Sequence, residues 1–139
     1  MKILIAEDEL TIALHYRIFL QNAGHNITLT SDGQECLDAY KNAVKELFDK
    51  SDEYLAQHPP FDVVLLDVRM PKMDGKEAAI LIREINPNQR IIFVTTYSRL
   101  ADDLLYESPD NVEVLTKPVD LDTLLEAIQS PIRPFLASW

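Results

Sequence analysis

The sequence predicts an α/β fold, a parallel sheet with helices on both faces. Three observations point there. Strand-like and helix-like segments alternate five times along the chain, the order that parallel crossover units produce. The strand candidates are short unbroken apolar runs, such as "VVLL" at 63–66, and strands buried on both faces read this way. Several of these runs end directly in a polar or charged residue, and ligands of open parallel sheets gather beyond the carboxyl ends of the strands.

The elements follow in order. Residues 1–6 ("MKILIA") form a short buried strand that runs into Glu7, Asp8 and Glu9. In the next segment Leu10, Ala13, Leu14, Ile18 and Leu20 recur at roughly helical spacing, and Gly24 stands where a helix ends. Residues 25–30 ("HNITLT") alternate with period two, and "SDG" is a turn. Residues 34–57 form one long or broken helix with Leu37, Tyr40, Val44, Leu47, Phe48 and Leu55 on one stripe. "DKSDE" is the place for an interruption, and Pro59 and Pro60 end the segment. Strands are predicted at 61–66, 90–94 and 112–115, and helices at 74–85, 99–107 and 120–129. The last helix starts on acids, which suits its dipole. Residues 1–130 make one domain, 131–139 a short tail, and no output domain is visible.

Composition narrows the function. The chain has 139 residues, 23 acidic against 13 basic, and a net charge of −10. Such a surface repels phosphate backbones and anionic lipid, so direct binding of nucleic acid or membrane is not expected. Cys36 is the only cysteine; it reads as a small buried residue, which rules out an intrachain disulfide and fits a cytoplasmic location. His15, His25 and His58 show no metal-ligand spacing and read as surface or boundary residues.

The chemistry gathers at the strand ends. Asp67 ends the third strand, and Glu7 and Asp8 follow the first. If those strands are neighbours, three carboxylates converge, and close like charges need a cation. Oxygen ligands alone suit Mg²⁺. Thr95 and Thr96 follow the fourth strand and Lys117 the fifth. Any of these alone is an ordinary cap, turn or surface residue. Together they form a rim suited to phosphoryl transfer, with Asp67 as a carboxylate nucleophile.

The blocks "IAEDE", "LLDVRMPKMDG", "VTTY" and "LTKP", in that spacing, resemble the receiver domain of two-component response regulators over nearly the whole chain. The resemblance implies a flavodoxin-like (βα)5 three-layer sandwich of sheet order 2-1-3-4-5, with an extended second helix where the gap from Gly33 to Asp67 is longer than usual. It implies that Asp67 is the phospho-acceptor, and that Mg²⁺ is held by Asp8, Asp67, the main-chain carbonyl of Arg69 and, through water, Glu7. Thr95 is then the switch hydroxyl, Thr96 its neighbour at the phosphoryl group, and Lys117 the phosphoryl partner. Lys117–Pro118 is a candidate cis peptide. A sensor histidine kinase or phosphotransfer protein is the expected donor, an unknown protein effector the expected target, and a homodimer is allowed.

Four departures qualify the resemblance. Val114 stands where the family carries its switch aromatic, with Tyr97 or Tyr106 as substitutes. "SPDN" replaces the usual Gly-Ala before the last strand. Thr96 is bulkier than usual and, with Tyr97 and Arg69, is expected to slow loss of phosphate to water; a Thr96→Ala variant that dephosphorylates at an unchanged rate contradicts this. The extra length of 34–57 reads either as a harmless insertion or as an arm for a partner, with Tyr40, Phe48 and Tyr54 as its contact residues. Two other functions compete: a receiver-shaped docking module that is not phosphorylated, and a Mg²⁺ phosphohydrolase. The second lacks the acid it needs two residues after Asp67, because Arg69 stands there.

Overall fold

A computed structural model describes residues 1–96 and 111–130. The expected helix at 99–107, Tyr97, Tyr106, most of "SPDN" and the tail with Trp139 lie outside the described residues. The elements are β1 (Lys2–Ala6), α1 (Leu10–Asn22), β2 (Asn26–Thr30), α2 (Gly33–Lys45), α3 (Asp52–Gln57), β3 (Val63–Leu66), α4 (Gly75–Ile85), β4 (Ile91–Thr95), β5 (Val112–Thr116) and α5 (Leu121–Gln129).

The five strands form one parallel sheet in the order β2-β1-β3-β4-β5. The unbroken apolar runs have a direct cause. Successive strand residues point to opposite faces, and both faces are covered. Leu4, Val64, Leu66, Ile91 and Phe93 pack with Leu37 and Tyr40 of α2 and with Ala79 and Ile82 of α4. Ile3, Ile5, Val63, Leu65, Ile92 and Val94 pack on the other side with Tyr16 and Leu20 of α1 and with Leu124 and Ile128 of α5. A strand with an apolar layer on each side has no polar positions to alternate.

Side-chain caps start four of the helices. Asp32, Ser51, Asp74 and Asp120 accept hydrogen bonds from the backbone N–H of Glu35, Tyr54, Glu77 and Thr123, satisfying donors that a first turn leaves free. The two ends of β4–β5 are tied differently. Arg90, nearly buried, donates to the carbonyls of Ala127 and Ile128 at 2.7 and 2.8 Å and pairs with Glu113 at 2.6 Å. It thereby joins the foot of the sheet to the last turn of α5, where a cation is favoured.

One expectation changes and one open alternative is decided. The core face of α1 is Ala13, Tyr16 and Leu20, whereas Leu10 and Ile18 are 69% and 55% exposed. A tyrosine carries a polar tip, so counting apolar residues passed over Tyr16 and set the stripe one step off. The 34–57 segment takes the interrupted form: α2 stops at Lys45, residues 46–51 turn, and Ser51 caps α3. Nor does α3 stand away from the body. Asn86 and Asn88, in the α4–β4 connection, donate to the carbonyls of Leu55 and Ala56 at 2.8 and 3.2 Å. Tyr40 is fully buried and donates to Gln89 at 2.8 Å, so it is a core residue; Phe48 and Tyr54 are exposed. Cys36 is fully buried, and burial pushes its thiol up to about 12.

Candidate functional site

The pairing of β1 with β3 brings the acids together. Ala6 lies opposite Leu66 in the register, so the next residue on each strand emerges at the same rim. The N–H of Asp67 donates to the Ala6 carbonyl at 3.2 Å, and that of Glu7 to the Thr30 carbonyl at 3.1 Å. One oxygen each from Glu7, Asp8 and Asp67 lies within 4.8 Å of the others. β4 and β5 deliver the remaining groups. Thr95 is fully buried, and its carbonyl accepts the Lys117 N–H at 2.9 Å. Thr96 is exposed and lines the same cleft as Arg69 and Lys117.

Lys117 is the hub. Its Nζ donates to Glu7 Oε1 at 2.5 Å and to Asp67 Oδ2 at 2.9 Å. The side chains of Glu7, Asp67 and Lys117 are only 3%, 13% and 16% exposed, so these charges interact with little screening by water. Burial alone would push the ammonium down, but its bonds to the two carboxylates overcome that and hold it well above the usual lysine range. Burial raises Glu7 above an ordinary carboxylate, and Lys117 opposes that. The other oxygen of Asp67, Oδ1, accepts the Arg69 N–H at 3.3 Å.

The loop after Asp67 is held tightly. Gly75 donates to the Val68 carbonyl at 2.7 Å and Gly33 to the Met73 carbonyl at 3.1 Å, while Lys72 takes a left-handed turn conformation at φ 65°. Gly75 permits a close approach: a Cβ there would lie 1.9 Å from the Asp67 carbonyl oxygen. The Lys117–Pro118 peptide is cis.

The donor set fits a hard divalent cation. It holds three carboxylate oxygens with no nitrogen or sulfur ligand, and it opens to a cleft in which water completes a coordination shell. Of the expected site residues, Glu7, Asp8, Asp67, Arg69, Thr96, Lys117 and Pro118 line one cleft of about 950 Å³. Thr95 lies beneath it, fully buried at the end of β4. Val114 is outside that lining; it is half-buried, lies opposite Phe93 in the register and packs on the α2–α4 side of the sheet. The sequence reading missed Tyr16, which forms part of the cleft wall together with Ile12, Val119 and Leu121. The available signal was its place three residues after Ala13 on the buried face of α1.

Comparison with known proteins agrees with this geometry. The family model of the response regulator receiver domain matches residues 3–129. The response regulator receiver protein CpdR of Brucella abortus is 30% identical over 128 residues, covering 92% of this chain and 93% of that protein. Probable histidine kinase 2 of Oryza sativa is 31% identical over 132 residues; the match covers 92% of this chain but spans only 12% of the kinase's length. The structure of the response regulator TrrA of Thermotoga maritima, in complex with Mg²⁺-BeF, superposes with a TM-score of 0.65 at 30% identity, over 92% of this chain and 96% of that one. The sheet order, the acidic rim and these matches lead to one assignment: the chain belongs to the response regulator receiver domain family of two-component signalling.

Proposed function

We propose that this protein is a phosphorylation-controlled switch whose phospho-acceptor is Asp67. The observation that carries the proposal is the ionic cluster at the sheet rim, where Lys117 bridges Asp67 and Glu7 beside Asp8. Mg²⁺ would be held by Asp8, Asp67 and the main-chain carbonyl of Arg69, with Glu7 acting through water. When bound it neutralises charge on the phosphoryl oxygens. A carboxylate oxygen of Asp67 attacks phosphorus, the bond from phosphorus to the donor atom breaks, and the donor leaves with that electron pair. Asp67 is suited to this because it stands at the end of a buried strand, with Lys117 bonded to its Oδ2 and placed to meet the incoming charge.

After transfer, Lys117 has a phosphoryl oxygen to pair with in place of the Asp67 carboxylate. Because its N–H is bonded to the Thr95 carbonyl, the ends of β4 and β5 respond together, and the Thr95 hydroxyl and Thr96 are the groups that meet the phosphoryl oxygens from that side. The added charge, about −2 at neutral pH, biases a two-state face built on those strands. The donor is a sensor histidine kinase or a phosphotransfer protein, and the output is binding of a protein effector or a second copy. The chain acts on itself alone, in the cytoplasm, with residues 1–130 as the switch and 131–139 as a tail. The Mg²⁺-BeF complex of the Thermotoga maritima regulator supports this chemistry.

Titration with fluoroberyllate, a phosphoryl mimic, tests the reading. Saturable binding that requires both Mg²⁺ and the Asp67 carboxylate is expected, and Asp67→Asn should abolish it. Binding that survives that substitution, or no binding by the wild type, contradicts the reading and leaves a docking module.

A further inference from the structure

We propose that Tyr16 is a positioning residue for the acidic site, holding the inner oxygen of Glu7 through a single bridging water. The inference rests on the proposed function, since it concerns how the same carboxylates are prepared for Mg²⁺. Three observations carry it. Glu7 uses Oε1 to pair with Lys117 and its carboxylate lies near the Glu9 N–H, while its Oε2 is buried and makes no hydrogen bond of good geometry among the described residues. A buried carboxylate oxygen left this way is costly.

A small cavity of about 10 Å³ lies behind the rim, bounded by Glu7, Asp67, Tyr16 and apolar residues of β1, β3 and β4. That is close to the volume of about 10–15 Å³ that one water needs. Among the described residues lining it, Tyr16 is the one whose side chain carries a donor; the others are aliphatic or carboxylates. Tyr16 also lies within electrostatic range of Lys117, Glu7 and Asp67, and burial raises its phenol above the usual tyrosine range.

A water between the phenol and Oε2 would fix the Glu7 carboxylate so that Oε1 stays turned to the rim. Glu7 would meet the ion through water, and groups that orient residues around a metal are commonly worth about ten-fold or more in its affinity. Tyr16→Phe removes the hydroxyl and keeps the ring that packs on Leu20 and the sheet. Calorimetric titration of the full chain with MgCl₂ should show a dissociation constant weakened about ten-fold. A role in packing alone would lower the melting temperature and leave the dissociation constant as it is in the wild type.

An independent measurement needs no variant to fold. In the wild type labelled with ¹³Cζ-tyrosine, the Tyr16 resonance should shift as Mg²⁺ binds. An unchanged dissociation constant in a folded Tyr16→Phe variant, or an unmoved Tyr16 resonance during wild-type binding, overturns the inference while leaving the proposed function standing. Failure of the wild type to bind Mg²⁺ overturns both.

Discussion

Lys117→Met will destabilise the protein by about 3 kcal/mol in the presence of a chelator, and saturating Mg²⁺ will restore much of the loss. The lysine touches two carboxylates, and the Glu7 side chain is only 3% exposed. Removing the cation leaves their charges facing each other with little water to screen them, and that penalty dominates over anything methionine gains by packing. A divalent ion that binds the folded state alone restores stability by mass action.

The pH dependence has a definite sign. Glu7 already titrates above its ordinary 4.5 because of burial, and loss of Lys117 raises it further. A carboxyl whose folded pKa is raised binds more protons folded than unfolded, so stability falls as pH rises from 4.5 through the folded value. The variant's deficit is therefore small near the bottom of that window and complete above it. Urea unfolding across pH, with chelator and with Mg²⁺, measures this; a deficit that ignores both Mg²⁺ and pH contradicts the bridging role of Lys117.

Gly75→Ala will cost about 3 kcal/mol, although it adds only a methyl group. The new Cβ would lie 1.9 Å from the carbonyl oxygen of Asp67, 2.8 Å from its carbonyl carbon and 3.1 Å from Val68 Cα. All three are backbone atoms and cannot rotate aside. Either the start of α4 or the end of β3 must move, and the second choice drags Asp67 out of the cluster. Phosphorylation should then slow by about ten-fold or more, since small misplacement of a reacting group is expensive. Gly24→Ala is the control. Nothing lies within 4 Å of a Cβ there, but its φ of +94° is strained for alanine, so it should cost about 1 kcal/mol and leave the phosphorylation rate unchanged. Gly75→Ala within about 0.5 kcal/mol of wild type would contradict the close approach.

The sheet was legible because its physics is local. Val63 to Leu66 must be apolar to fill both layers, and each strand announces itself. The rim was legible because the residues that follow Ala6, Leu66 and Leu115 break those runs with polar groups, and parallel pairing carries them to one end. What the sequence did not reveal depends on contacts made from outside the segment. Ser51 caps the start of α3 after the break, but the folding of α3 against the protein comes from Asn86 and Asn88, some thirty residues away. The same holds for Tyr40, whose burial depends on Gln89 accepting its hydroxyl. Tyr16 escaped because its value lies in a cavity shared with Glu7 and Asp67, a relation between three elements that helical periodicity does not encode.

The central claim is that Asp67 accepts a phosphoryl group, and intact mass tests it most directly. The protein is incubated with Mg²⁺ and a small acyl-phosphate donor, whose phosphoryl group moves to the Asp67 carboxylate as the donor's carboxylate leaves. One added phosphoryl group is predicted in the wild type, and none without Mg²⁺ or in Asp67→Asn. A wild type that gains no mass, or an Asp67→Asn variant that gains it equally, would contradict the account.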